Sequence, residues 1–94
     1  MEKYSSTGDY YIVYYHQECP FSAGAIRLLK RKLRNPDLQM LLIHVPNIGD
    51  SLQNILQRRG VKDHSTYPAI FCNFKFIGGY SELKTLLSDV FNDL

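Results

Sequence analysis

Residues 10–22 read YYIVYYHQECPFS, which joins the pattern of a buried strand to that of a helix start. Its first part, from Tyr10 to Tyr15, is aromatic and β-branched, a pattern typical of a strand buried on both faces of a parallel sheet. Pro20 suits the first position of a helix, because the N–H that proline lacks would have no partner there. Cys19 therefore becomes the N-cap residue at a junction between a strand and a helix.

The rest of the chain alternates helix and strand signals. Apolar spacing predicts a helix over 22–34, with an inward face formed by Ser22, Ala25, Ile26, Leu29 and Leu33. The run 38–45 predicts a second strand, a helix follows over 50–60, and 61–67 reads as a polar loop. Strands are predicted at 68–72 and 75–77, joined by a turn, and a strongly periodic helix covers 83–94.

The element order βαβαββα predicts an α/β fold. A helix joins the first two strands, which implies a parallel pair, and the last two strands form a hairpin. We therefore expect a mixed four-stranded sheet covered by three helices. Residues 1–9 are polar and predict a loose N-terminal leader, so that 10–94 form one domain.

Composition excludes several classes of protein. The 94 residues carry a net charge of only +2, which argues against a nucleic-acid-binding stripe. No apolar run approaches the roughly 20 residues of a membrane span, and the polar N-terminus is not a signal peptide. Two distant cysteines do not make a disulfide scaffold. A reducing compartment, the cytoplasm, fits these features, with no nucleic acid or membrane as partner.

Cys19 is the candidate reactive residue. The unpaired N–H groups of a first helical turn carry partial positive charge and favour a thiolate over a thiol. A thiolate exposed at a sheet edge can attack a disulfide. The alternative is that Cys19 is only a small apolar cap, although cysteine is a poor choice beside Ser or Asp.

Three motifs in the same order resemble the glutaredoxin family, which has a thioredoxin-like fold. They are Cys19-Pro20-Phe21-Ser22, Thr66-Tyr67-Pro68, which is similar to the family's Thr-Val-Pro, and Gly78-Gly79-Tyr80-Ser81-Glu82. The resemblance runs from about Tyr10 to the C-terminus. It implies a glutathione-dependent thiol–disulfide oxidoreductase whose catalytic residue is Cys19.

The resemblance also implies roles for individual residues. The bond before Pro68 is expected to be cis, with the backbone of Tyr67 pairing with the cysteinyl part of glutathione. The opening turn of the last helix would hold the γ-glutamyl carboxylate, and Glu82 would face the amino group. The full set implied for glutathione binding is His16, Phe21, Thr66, Tyr67, Pro68, Gly79, Tyr80, Ser81 and Glu82.

Some residues depart from the family pattern. Ser22 stands where dithiol members have a second cysteine, so Cys19 is predicted to act as a monothiol. His16 replaces a usual Lys or Arg, and its alternative reading is an exposed loop histidine without a role. Ser65 replaces a frequent Arg, Lys or Gln, for which the nearby Lys62 and His64 could substitute. Cys72, on a strand, is interpreted as a small hydrophobe rather than a resolving thiol.

The main hypothesis is deglutathionylation, with glutathione as co-substrate and glutathionylated or disulfide-containing proteins as partners. One alternative is a [2Fe–2S] protein in which Cys19 and glutathione thiolates ligate the cluster. Pro20 argues against this alternative, because the cluster-binding members typically have Gly at that position. Another alternative is an interaction domain that kept the fold and lost activity, which His16, Ser65 and Tyr67 keep open.

Overall fold

The computed structural model describes residues 9–46 and 50–91, which form four strands and four helices. The strands are β1 (Tyr11–Tyr15), β2 (Met40–His44), β3 (Ala69–Cys72) and β4 (Lys75–Gly78). The helices are α1 (Pro20–Lys32), α2 (Pro36–Gln39), α3 (Asp50–Arg58) and α4 (Tyr80–Phe91). Apart from Asp9, the predicted leader lies outside the described residues, as does the predicted last helix beyond Phe91. No helix in the described ranges is long and apolar enough to span a bilayer.

The strands form one mixed sheet in the order β2-β1-β3-β4. β1 is parallel to β2, with Val13 opposite Leu42, and antiparallel to β3, with Val13 opposite Ile70. β3 and β4 make the predicted hairpin. The predicted sheet is thus confirmed, and β1 lies inside it because its residues can be buried on both faces.

The side chains of β1 alternate between two halves of the core, as the period of a strand requires. One half packs against α1 and α4 and contains Tyr11, Val13, Ala25, Leu29, Leu33, Ile70, Leu83 and Leu87. The other packs against α3 and contains Tyr14, Val45, Leu52, Leu56, Ala69 and Phe71. The sheet and α1 are therefore held firmly, which fixes the position of the β1–α1 junction.

The one clear departure from the predicted elements is α2, where the second strand was expected to begin at Leu38. Pro36 occupies the first turn after the cap residue Asn35, and the N–H groups of Leu38 and Gln39 donate to the Asn35 carbonyl. The side chain of Gln39 accepts from the Asn35 N–H at 2.9 Å and donates to the Asp9 carbonyl at 3.0 Å. These bonds favour a short helix over the extended backbone, so the strand starts at Met40 and the helices number four among the described residues.

Candidate active site

Cys19 lies at the junction that the sequence indicated. It is the N-cap residue of α1, in extended conformation, with Pro20 in the first turn. The Cys19 N–H donates to the His16 carbonyl at 3.1 Å, and the Cys19 carbonyl accepts from the Ala23 N–H at 3.1 Å. The sulfur is partly exposed in front of the first helical turn, whose N–H groups favour negative charge.

The segment before β3 forms the wall opposite the Cys19 sulfur. The Tyr67–Pro68 peptide bond is cis, as the family resemblance implied. The Cys19 thiol donates to the Tyr67 carbonyl over 3.7 Å. The Tyr67 carbonyl and the Cys19 sulfur therefore face the same space. Burial raises the pKa of the Tyr67 phenol.

The N-terminus of α4 forms a second wall. The Gly79 carbonyl accepts from the Leu83 N–H, which makes Gly79 the cap residue, and the Gly79 N–H donates to Glu82 Oε1 at 2.8 Å. This is half of a capping box, in which the third helical residue reaches back to the cap. Gly78 has φ +125°, and a Cβ there would lie 2.6 Å from Glu82 Cγ, so only glycine leaves room for this carboxylate.

Glu82 is held as an anion. The hydrogen bond from Gly79 lowers the pKa of its carboxyl below the ordinary value, with smaller contributions from its own backbone N–H and from His64. His64 in turn fixes the loop before β3: its Nε2 lies 2.7 Å from the Thr66 carbonyl and 3.2 Å from the Pro68 carbonyl. Since carbonyls only accept, Nε2 carries the hydrogen.

These walls enclose a groove of about 630 Å³, within the size range of small-molecule sites. Ten residues line it: Cys19, Phe21, His64, Ser65, Thr66, Tyr67, Gly79, Tyr80, Ser81 and Glu82. All three predicted motifs therefore meet at one place. Phe21 is 59% exposed at the rim, with its ring centroid 6.1 Å from that of Tyr80. Pro68 is buried beneath the groove.

His16 and Ser22 lie behind Cys19 rather than in the groove. His16 is 8% exposed, so the reading as an exposed loop histidine is wrong. Its Nδ1 accepts from the Glu18 N–H at 3.2 Å, and its Nε2 therefore donates to the Pro46 carbonyl at 3.2 Å. Ser22 is buried, and its hydroxyl accepts from the His16 N–H at 3.3 Å. Both residues support the Cys19 loop without lining the groove.

Cys72 is at the far end of the sheet. It pairs with Tyr11 at the start of β1, whereas Cys19 follows the end of β1. Burial raises the pKa of the Cys72 thiol, and a hydrogen bond with Tyr11 opposes this only in part. The described residues contain no group of three or more His, Cys, Asp or Glu placed to hold a metal ion.

Of two contacts at the site that lie outside the roles implied by the motifs, one has a signal in the sequence and the other has none. Glu82 follows Gly79 by three residues, which is the spacing of a capping box. This spacing indicates that the Glu82 carboxylate can accept a hydrogen bond from the Gly79 N–H. His64 was considered only as a possible carboxylate contact, and its donation to two loop carbonyls depends on a backbone arrangement that no local pattern predicts.

The sheet order, the cis bond before Pro68 and the placement of Cys19 define a glutaredoxin-like thioredoxin fold. Comparison with solved structures agrees. The chain is similar to glutaredoxin 1 from Francisella tularensis complexed with cacodylate, with a TM-score of 0.68 and 18% identity over 90% of this chain and 99% of that one.

Two further glutaredoxins have similar structures. Oxidised glutaredoxin 2 from Chlamydomonas reinhardtii has a TM-score of 0.63 and 24% identity over 86% of this chain and 73% of that one. A dithiolic glutaredoxin from Trypanosoma brucei brucei has a TM-score of 0.62 and 29% identity over 95% of this chain and 90% of that one. A scan against models of protein families finds no match, and a search of curated protein sequences finds none either.

Proposed function

We propose that this protein is a glutathione-dependent thiol–disulfide oxidoreductase that removes glutathione from proteins through Cys19. One observation carries the proposal: the Cys19 sulfur stands at the N-terminus of α1, 3.7 Å from the Tyr67 carbonyl, and opens into a groove closed by the N-terminus of α4. A peptide lying in this groove can pair with the Tyr67 backbone as one added strand. Glutaredoxins with the same fold support the assignment.

The proposed reaction has two exchange steps. The Cys19 thiolate attacks the glutathionyl sulfur of a mixed disulfide; a bond forms between these two sulfurs, and the protein leaves as a thiolate that takes up a proton. A second glutathione thiolate then attacks the same glutathionyl sulfur, forming oxidised glutathione and releasing the Cys19 thiolate. The protein sulfur is reduced to a thiol and the sulfur of the incoming glutathione is oxidised to the disulfide level, while the transferred glutathionyl sulfur stays at that level throughout, so electrons balance.

The proposed monothiol route rests on Ser22, which stands where a dithiol protein would have its second cysteine. Ser22 lies three residues after Cys19 on the first turn of α1, and a hydroxyl cannot attack a disulfide. Its hydroxyl instead accepts a hydrogen bond from the His16 N–H. Cys72, at the other end of β1, is too far away to take the role of the missing thiol. We therefore propose that glutathione itself resolves the mixed disulfide, in a reducing, cytoplasm-like compartment.

The test is the reduction of a glutathionylated peptide by glutathione. We expect turnover by the wild type and by Cys72→Ser, and none above background by Cys19→Ser. Equal activity of Cys19→Ser and the wild type would overturn the proposal. If no variant turns over and Cys19 forms no glutathione adduct, the interaction-domain alternative is favoured. If anaerobic reconstitution gives a brown protein with visible absorbance, the cluster alternative is favoured.

A further inference from the structure

We propose that a second site, on the face of the sheet that α3 covers, binds a phosphate monoester carried by an aromatic ring. The site is a hollow of about 220 Å³ between the end of α3 and the β3–β4 turn. We call it the arginine hollow, and it is lined by Ile12, Tyr14, Arg58, Arg59, Phe71 and Phe74. None of these residues lines the groove at Cys19, so the site is independent of the proposed function.

The polar wall of the arginine hollow is built around a buried hydroxyl. Tyr14 is 3% exposed, and its Oη accepts a hydrogen bond from Arg59 Nε at 2.8 Å. A phenolic hydroxyl also donates one hydrogen, and that of Tyr14 has no acceptor among the described residues. The hydroxyl therefore holds the guanidinium of Arg59 in place and still has a hydrogen to donate to a ligand oxygen.

The arginines are not needed to cap the helix at whose end they stand. Gly60 has φ +84°, and the N–H groups of Gly60 and Val61 donate at 3.0 and 2.9 Å to two carbonyls of the last turn of α3. This is the Schellman arrangement, in which backbone donors satisfy carbonyls that a basic side chain can otherwise bind. Because Arg59 Nε donates to Tyr14 instead, its terminal nitrogens face the hollow as donors for a ligand.

The charge of the arginine hollow selects the class of anion. Arg58 and Arg59 bring two positive charges, and of the described residues that line the hollow none is Asp or Glu. A guanidinium forms paired hydrogen bonds with phosphate or carboxylate oxygens. At neutral pH a phosphate monoester carries about two negative charges, which match both arginines, whereas a carboxylate matches only one. A phosphate monoester is therefore the anion that fits best.

The other wall of the hollow is aromatic. Phe71 is buried, with its ring edge-on to that of Tyr14 at 5.9 Å between centroids. Phe74 is exposed, although its φ of 69° is unfavourable for a residue with a side chain of this size. Unfavourable backbone of this kind is concentrated at functional sites, and aromatic side chains pack well against a ligand ring. The volume is below the roughly 300 Å³ at which pockets for larger ligands begin, so one ring with one phosphate fits.

Titration of the isotope-labelled full chain with phenyl phosphate, followed by amide chemical shifts at constant ionic strength, tests the site. We expect saturable shift changes at the residues that line the arginine hollow. Inorganic phosphate and phenol should each bind at least about fivefold more weakly, because each lacks one half of the ligand. Shift changes that do not saturate, or that are confined to the groove at Cys19, would overturn the proposal.

Substitutions at the polar wall separate a specific site from general attraction to positive charge. Arg59→Gln should weaken binding of phenyl phosphate about tenfold, as expected for the loss of charge-assisted hydrogen bonds. Arg59→Lys keeps the charge but not the paired donors, and should weaken binding about threefold or more. Arg27→Gln, at an exposed position of the helix on the opposite face of the sheet, is the matched control and should bind as the wild type does.

An Arg59→Gln variant that binds phenyl phosphate as tightly as Arg27→Gln does would refute the site. Tyr14→Phe removes only the hydroxyl and should weaken binding about threefold or more, since both its bond to Arg59 and its hydrogen are lost. Thermal unfolding of each variant shows that it is folded under the conditions of the titration. The exposed arginine variants keep the test decisive if Tyr14→Phe does not fold.

The same chemistry can come from a small molecule or from a phosphotyrosine of a partner protein, and a short phosphotyrosine peptide distinguishes the two. Binding about fivefold tighter than that of phenyl phosphate would assign the ligand to a protein, since flanking residues then add contacts. Equal or weaker binding would assign it to a small molecule. Cys19→Ser should bind phenyl phosphate as the wild type does, whatever the outcome of the redox assay, because Cys19 lies outside the arginine hollow.

Discussion

Glu82 contributes to helix stability as well as to the groove, and this dual role gives a pH dependence. The Gly79 N–H lowers the pKa of its carboxyl in the folded chain. Its stabilising effect is therefore complete above the pKa of the unfolded state and is lost as pH falls through the lower folded value. Glu82→Gln should cost about 0.5 kcal/mol at pH 7, typical of a charge at a helix N-terminus.

Urea unfolding at neutral and acidic pH tests this expectation. The wild type and Glu82→Gln should differ at pH 7 and converge once Glu82 is protonated. Lys84→Gln, which changes an exposed side chain of the same helix without altering a carboxylate, serves as the control. A difference between the wild type and Glu82→Gln that stays constant across pH would mean that the charge of Glu82 does not stabilise α4.

His16 is predicted to position the Cys19 loop by accepting from the Glu18 N–H and donating to the Pro46 carbonyl. His16→Leu removes both bonds and should destabilise the fold by about 1–2 kcal/mol. It should also slow glutathionylation of Cys19. Asparagine keeps an acceptor near the place of Nδ1, so His16→Asn should recover part of the rate. Equal rates for the two variants would show that the hydrogen bond to Glu18 does not position the loop.

The orientation of His16 could not be predicted from the sequence. Its place three residues before Cys19 was clear, and the family resemblance suggested a contact in the groove. Its burial depends on Pro46, 30 residues away, and on the rings of His44 and Tyr67, whose centroids lie 5.8 and 5.6 Å from its own. Contacts between distant segments of this kind leave no local pattern.

Among the elements, the turn between β3 and β4 holds Phe74 in the left-handed backbone conformation, which glycine adopts more easily. Asn73 and Phe74 have φ angles of 51° and 69°, which a two-residue hairpin turn with its mirror-image geometry requires. Asn tolerates this region, but for Phe it costs about 1 kcal/mol. Phe74 is 75% exposed, and the centroid of its ring lies 6.2 Å from that of Tyr10.

Phe74→Gly should therefore be more stable than Phe74→Ala by about 1 kcal/mol. Both variants lose the ring next to Tyr10, but only glycine adopts the positive φ angle without a steric cost. The difference between their free energies of unfolding therefore measures the cost of this backbone conformation. Thermal and urea unfolding of the pair measure it. If Phe74→Ala equals or exceeds Phe74→Gly in stability, the turn is not strained at this residue.

Helices and strands with a strong local sequence pattern could be predicted, whereas an element that depends on hydrogen bonds to a distant segment of the chain could not. The aromatic run and Pro20 placed β1 and the start of α1, because burial on both faces and a proline at the first helical position act locally. The helix α2 was missed because it depends on Gln39, whose side chain bonds to Asp9 across the sheet edge. Four residues of helix also have too little periodicity to detect.

On the scale of the whole molecule, the sheet separates the two cysteines. Cys72 pairs with Tyr11 at the start of β1, and Cys19 follows Tyr15 at its end. The length of β1, about 13 Å, therefore separates the two ends of the sheet at which the cysteines lie. A disulfide needs Cα atoms within about 7 Å. Burial raises the pKa of the Cys72 thiol, so little of it is the reactive thiolate near neutral pH.

Oxidised glutathione should therefore add one glutathionyl group per chain, at Cys19, and form no internal disulfide. Intact mass and peptide mapping measure both outcomes. In Cys19→Ser, alkylation of Cys72 should be slow at pH 7 and accelerate only above the ordinary pKa of a thiol, because the reaction follows the thiolate fraction. An internal disulfide between Cys19 and Cys72 would require the sheet to open. Finding one in the folded protein at neutral pH would refute the monothiol route, because Cys72 would then be a resolving thiol within reach of Cys19.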